Sequence, residues 1–179
     1  MKGVVFTEFM EHVESVHGPL VVDKIIETSD TDSDGVYTAV GTYPCAELVS
    51  LIVALSQHSG DQIPHIITQF GESLSLSFKR DFPAYYEDVD YFDFVECVEH
   101  RIHVDVLKLY PDAELPRFNT LERSPDCLII DYISSRALEH LALGLLQGSA
   151  RQFGETVDIT MATRHEAEQR IVQFTINRL

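Results

Sequence analysis

Residues 132–136 read Tyr132-Ile133-Ser134-Ser135-Arg136. This Y-x-S-x-R pattern sets a phenol, a hydroxyl and a guanidinium at every second position. Side chains alternate between the two faces of an extended strand, so all three would project to one side. Donors converging in this way suit an anion with several oxygens, and Arg in particular suits a carboxylate. A plainer reading of the same residues is a strand running into a helix, with Ser134 or Ser135 as the N-cap. The two readings are compatible, because a helix N-terminus itself favours anions.

Upstream of this stretch the apolar spacing predicts a helix from about Asp88 to Tyr110, stopped by Pro111. At roughly 100° per residue, Tyr91, Val95, Val98, Ile102, Val106 and Leu109 fall within about 40° of one direction. His103 lies roughly 100° from the centre of that stripe, beside Phe92 and Tyr110. His100 lies almost opposite the stripe and is expected in solvent, so His100-x-x-His103 does not predict a shared metal site. His103 alone borders two apolar patches, as an imidazole under a flat apolar cofactor would. A flank histidine bonded to nearby backbone accounts for the helix pattern equally. Set beside a carboxylate-seeking triad, an isolated imidazole describes a pocket for haem, with propionates at the triad and iron at the histidine.

The first part of the chain reads as helices. Val5, Phe9, Val13 and Val16 recur at helical spacing over residues 2–17, ended by Gly18, and residues 20–28 continue through Val22, Ile25 and Ile26. Pro44 starts a third helix over Ala46–Gln57, and Pro64 a fourth through Ile67, Phe70, Leu74 and Phe78 to about Pro83. The texture then changes. Arg117–Glu122 and Cys127–Ile133 read as strands joined by a turn at residues 123–126, followed by a helix over 135–153 and two further strands, Thr156–Ala162 and Arg170–Asn177. Gly144 and Gly148, four apart, would permit close backbone approach. The expectation is an α+β fold in one domain over residues 1–179. A mainly helical lobe of about residues 1–80 packs on a mixed α/β lobe of about 81–179 with a small antiparallel sheet.

A chain of 179 residues with 45% hydrophobic content can bury a sizeable core. Its formal charge of −16 argues against nucleic acid and anionic membrane surfaces, which call for clustered Lys and Arg. No apolar run approaches the roughly 20 residues of a spanning helix, and Glu8 and Glu11 come too early for a signal peptide. Cys45, Cys97 and Cys127 are odd in number and far apart, which makes a disulfide framework a poor expectation and the cytoplasm the default.

Taken together, the chain resembles the haem-nitric oxide/oxygen binding (H-NOX) family, which includes the haem domain of soluble guanylate cyclase. The resemblance runs through Met1-Lys2-Gly3, Phe70-Gly71, Ile102-His103-Val104-Asp105, Lys108 to Ala113, Leu115-Pro116, the Tyr132–Arg136 stretch and Gly144 to Gly148. It implies that His103 is the axial ligand of a haem b iron and that Tyr132, Ser134 and Arg136 bind the propionates. Pro116 would press on the porphyrin. Val5, Phe9, Leu74, Phe78, Leu141 and Leu145 match positions that line the pocket in relatives.

Relatives that hold oxygen stably carry a distal Tyr five residues after the triad Arg; here that position is Leu141, with Phe9 and Leu74 in place of supporting polar groups. An apolar pocket implies selection of nitric oxide, with CO as a further gaseous ligand, and exclusion of oxygen. His140 adjoins Leu141 but projects roughly 100° away on the helix. Some relatives carry a Cys/His zinc site in the last third of the chain. Here Glu139 stands where a cysteine would be needed, and His165 alone cannot make the site, so no structural zinc is expected.

By the same resemblance, nitric oxide would break the His103–iron bond and relax the porphyrin. The helical lobe would then rotate, and the change would pass to a partner in trans, a histidine kinase or diguanylate cyclase, since no output domain is evident. An oxygen-binding haem sensor and a haem-free interaction module are the alternatives.

Other motifs lead less far. Asp30-x-Asp32-x-Asp34-Gly35 copies half an EF-hand loop, but the twelfth position is Gly41 instead of the bidentate Glu. Cys45 at a helix start would have a lowered pKa if the dipole reached it, though ordinary packing explains it as well. Ser56, His58 and Ser149 lie in no nucleophile-elbow pattern, and no enzyme is expected.

Overall fold

Seven α-helices and a four-stranded sheet make up the computed structural model of the chain, which describes residues 1–167 and 169–179. Helices α1 (Gly3–His17), α2 (Pro19–Thr28), α3 (Cys45–Ser59) and α4 (Ile63–Asp81) come first. Phe6, Phe9 and Val13 of α1 face the interior with Leu51 and Leu55 of α3 and Phe70 and Leu74 of α4, whereas Val16, the last of the expected stripe, is 56% exposed. Gly60 ends α3 with φ +82°, a left-handed cap that glycine adopts without strain, and its N–H bonds Ser56 O at 2.9 Å.

Helices α5 (Tyr91–Cys97) and α6 (His103–Leu109) form one rod interrupted by a π-turn at Val98–Ile102. Asp90 caps α5, its Oδ1 accepting from the Asp93 N–H at 2.8 Å. The single uninterrupted helix expected over 88–110 is corrected here. A π-turn takes more residues per turn than an α-helix and rotates everything beyond it. Tyr91 and Val95 are accordingly buried as the stripe predicts, but Leu109 at its far end is 74% exposed.

Strands β1 (Arg117–Arg123), β2 (Cys127–Ile133), β3 (Val157–Glu166) and β4 (Gln169–Arg178) form an antiparallel sheet in the order β1-β2-β4-β3. Central β2 and β4 supply Leu128, Ile130, Tyr132, Val172, Phe174 and Ile176 to a second apolar cluster with Tyr91, Phe92 and Val95. Asp131 of β2, 4% exposed, is held in a fork by Arg164 of β3, reaching across β4.

Helix α7 (Glu139–Gln152) joins the two clusters. Leu141 and Leu145 pack against the helical cluster, whereas Ala142, Leu146 and Ala150 belong to the sheet cluster. It crosses α4 at backbone contact: a Cβ on Gly144 would stand 2.1 Å from Thr68 O, and one on Gly71 2.5 Å from Leu141 O. Ion pairing of Arg151 with Glu72 at 2.6 Å and a bond from Lys79 Nζ to Gln152 O at 3.0 Å close the same seam. Among the described residues no helix is long and apolar enough to cross a membrane.

Candidate functional site

His103 opens α6 directly after the π-turn, and its backbone N–H bonds Val98 O, the wider loop that defines that turn. Its side chain is 14% exposed. The ring stands 5.9 Å from Phe118 of β1 and tilts against it. Helix geometry predicts Phe92 and Tyr110 beside it; the aromatic ring found there is Phe118, while Phe92 lies 4.0 Å beneath Arg178 and Tyr110 4.0 Å beneath Lys2. Nδ1 lies 3.2 Å from Glu99 Oε2, and that same oxygen accepts the Phe118 N–H at 3.0 Å. Burial pushes the imidazole pKa below its ordinary value, with Glu99 opposing, so the ring is neutral at neutral pH with Nε2 uncommitted.

Only part of the triad geometry follows the strand reading. Strand β2 ends at Ile133, and Ser134 to Leu138 form an irregular turn before α7, so alternation along a strand places Tyr132 alone. Neither Ser134 nor Ser135 is the N-cap; α7 begins at Glu139 behind Leu138, without a side-chain cap. The turn draws the three groups together by another route. Ser134 Oγ accepts the Arg136 N–H at 3.0 Å, and the Tyr132 hydroxyl, 4% of its residue exposed, lies against Ser134. Burial raises the phenol's pKa, the Ser134 hydrogen bond and Arg136 acting against the rise, and it stays protonated as a donor.

The Arg136 guanidinium already grips a carboxylate. Nη2 donates to Glu114 Oε2 at 2.6 Å and Nη1 to Glu114 O at 2.9 Å. The Glu114 side chain is 74% exposed, so this partner is held in high dielectric and is cheaply exchanged for another carboxylate. A cleft of about 770 Å³ opens beside the turn, lined by Leu115, Ser134, Arg136 and Arg170 among others. Pro116 is half-buried immediately before β1.

Val5, Phe9, Leu74, Phe78, Leu141 and Leu145 come from three helices distant in sequence, α1, α4 and α7, and meet in one apolar cluster. Phe9 and Leu74 are fully enclosed, while Val5, Phe78, Leu141 and Leu145 are half-buried. Helix α6 packs chiefly on the π-turn before it and leaves His103 facing inward. Two phenols touch the same cluster, and both hydroxyls are committed elsewhere. Tyr37 donates to Glu47 Oε2 at 2.9 Å, and the Tyr43 oxygen accepts the Thr38 N–H at 2.9 Å with Thr38 Oγ1 a further 3.4 Å partner. His12 lies against Phe70 and lines a separate cleft with Glu8, Glu11 and Arg80.

Half-buried apolar faces, a neutral imidazole with one free nitrogen, and a carboxylate-binding guanidinium together fit an apolar, iron-bearing dicarboxylate. Sequence reasoning passed over Glu99 and Glu114. The first stands four residues before His103, a spacing that brings helical side chains together and could have pointed to it. The second depends on a loop path that local sequence does not encode.

A family model described as Haem-NO-binding matches residues 2–161. The chain belongs to this family, the H-NOX domains, which are haem-binding gas-sensor domains. Among solved structures, the Fe(II) unliganded H-NOX protein from K. algicida is 36% identical, with 100% of this chain and 97% of that chain covered and a TM-score of 0.91. An H-NOX protein from S. oneidensis in the Fe(II) ligation state is 25% identical over 100% of this chain and 96% of that one, at a TM-score of 0.89. An oxygen-binding H-NOX domain related to soluble guanylate cyclases shares the fold at a TM-score of 0.85 and 21% identity, with 99% and 95% covered. A search of curated proteins returned no match.

Proposed function

We propose that the chain is a nitric oxide sensor holding haem b, in which gas bound opposite His103 releases that imidazole and the resulting movement is passed to a partner protein. A histidine kinase or a diguanylate cyclase is the partner class that the family resemblance suggests. The observation that carries gas choice is the cluster of Val5, Phe9, Leu74, Phe78, Leu141 and Leu145, with its neighbouring phenols turned to other partners. When bound, the iron would supply an open position for a diatomic gas. Bound oxygen gathers negative charge and needs a donor, whereas nitric oxide holds without one, so hydrocarbon walls disfavour oxygen.

The remaining roles belong to side chains. His103 would offer Nε2 to the metal while Nδ1 stays with Glu99. Arg136, Ser134 and Tyr132 would hold the acidic arms, Arg136 exchanging Glu114 for a propionate. Pro116 would bear on the ring edge. Movement of α6 would have mechanical outlets through the π-turn, whose Glu99 accepts the Phe118 N–H of β1, through Asp105, which accepts the Tyr85 hydroxyl at 2.8 Å, and through Tyr110, whose ring lies 4.0 Å under Lys2 Nζ at the start of the helical lobe.

The test is an absorption spectrum of the reduced, haem-loaded protein. Nitric oxide and CO should each shift it, and air-saturated buffer should yield no stable oxygen spectrum. A persistent oxygen spectrum would overturn the selectivity, and colourless protein expressed with ample haem would overturn the cofactor.

A further inference from the structure

We infer that Glu99 is a positioning residue for His103, an anchored carboxylate that fixes the imidazole's tautomer and strengthens its hold on a metal. The inference deepens the haem reading and rests on it. Three observations converge. Glu99 Oε2 lies 3.2 Å from His103 Nδ1, and the same oxygen is pinned by the Phe118 N–H at 3.0 Å. The pair is largely shielded, with side chains 14% and 27% exposed, so the contact is weakly screened. The π-turn at Val98–Ile102 carries Glu99 and presents it to β1, and wider turns of this kind recur at functional sites.

A carboxylate can only accept, so Nδ1 must donate and the Nε2 lone pair is left for the metal. Donation to a full negative charge loads electron density onto Nε2 and makes it a stronger ligand. The backbone of β1 prevents Glu99 from swinging away, and Phe118 closes the other side of the ring at 5.9 Å. Release of His103 on gas binding is therefore opposed more strongly than for an imidazole lacking such a partner. The ferric state, which draws more from a basic ligand, is favoured.

The experiment compares haem-loaded wild type, Glu99→Gln and Glu99→Leu by resonance Raman spectroscopy of the reduced protein and by redox titration. The iron–histidine stretching band should move to lower frequency, slightly in E99Q and further in E99L. A tenfold loss of ferric over ferrous preference would raise the midpoint potential by about 59 mV. If Glu99 serves only to brace β1, melting temperature falls while band and potential stay at wild-type values in both variants, and the assignment is overturned. Should E99L fail to fold, E99Q decides alone, since it keeps the acceptor geometry and removes the charge. His103→Gly separates the two readings. Loss of the band there with none of these shifts at Glu99 removes only the positioning role; a band that survives His103→Gly removes His103 as ligand.

Discussion

Leu141 differs from tyrosine, as far as a bound gas is concerned, by one O–H. Leu141 sits five residues beyond Arg136 on the helix that also supplies Leu145 to the apolar cluster. A hydrogen bond to a charged acceptor contributes about 1.5–3 kcal/mol. Leu141→Tyr should therefore slow oxygen loss from the reduced protein roughly 10- to 100-fold, measured by stopped-flow decay in oxygen-free buffer; an unchanged rate would place selectivity elsewhere. The Arg136 guanidinium makes two bonds to Glu114, and Arg136→Ala would leave an incoming carboxylate without its charged partner. Haem titration of the apoprotein should show affinity reduced by roughly 10- to 100-fold, and equal affinity would remove the propionate role. His103 and the triad could be proposed from the sequence because functional groups at fixed spacing are a local property. Glu114 was not, since its place beside Arg136 depends on the path of residues 111–116 between α6 and β1.

Elements were legible where apolar period and punctuation agree. The first four helices follow from spacing alone, with glycine at the ends of α1 and α3 and proline at the starts of α2 and α4. Two features escaped. The π-turn has no signature in composition, because Val98 and Ile102 continue an α-helical period while Glu96 and Glu99 are drawn to β1 by Thr120 and the Phe118 N–H. The stretch after β2 extends a strand pattern into a helix pattern, and nothing local marks the turn where Leu138 N–H bonds Arg136 O at 3.0 Å. The α4–α7 crossing leaves no room for a side chain. An Ala at Gly144 places Cβ 2.1 Å from the Thr68 carbonyl, a backbone atom that cannot step aside. Gly144→Ala should destabilise the fold by about 1–3 kcal/mol through forced separation of the two helices, read as a lower denaturation midpoint in urea with little change in slope. A midpoint at or above wild type would mean that the seam has slack.

On the scale of the whole molecule, charge is the dominant imbalance. With 13 basic and 29 acidic residues, most cations already stand in ion pairs, and the acids exceed what the cations can neutralise. Screening length falls from about 30 Å at 0.01 M salt to about 8 Å at 0.15 M, so added sodium chloride should relieve more repulsion than it weakens pairing. Melting temperature should rise by about 2–4 °C for each kcal/mol relieved; a fall with salt would show that the pairs outweigh the surplus. The arrangement of α7 has a consequence for anyone wishing to retune this domain. Each turn of that helix faces both interiors through neighbouring positions, so a larger residue at 141 pushes on the rod that seats Ala142 and Leu146 against the sheet. Under the proposed function, gas preference and output amplitude would thus be mechanically entangled. Variants chosen for one will drift in the other, and compensating changes belong on the opposite flank of the same helix, not in the pocket.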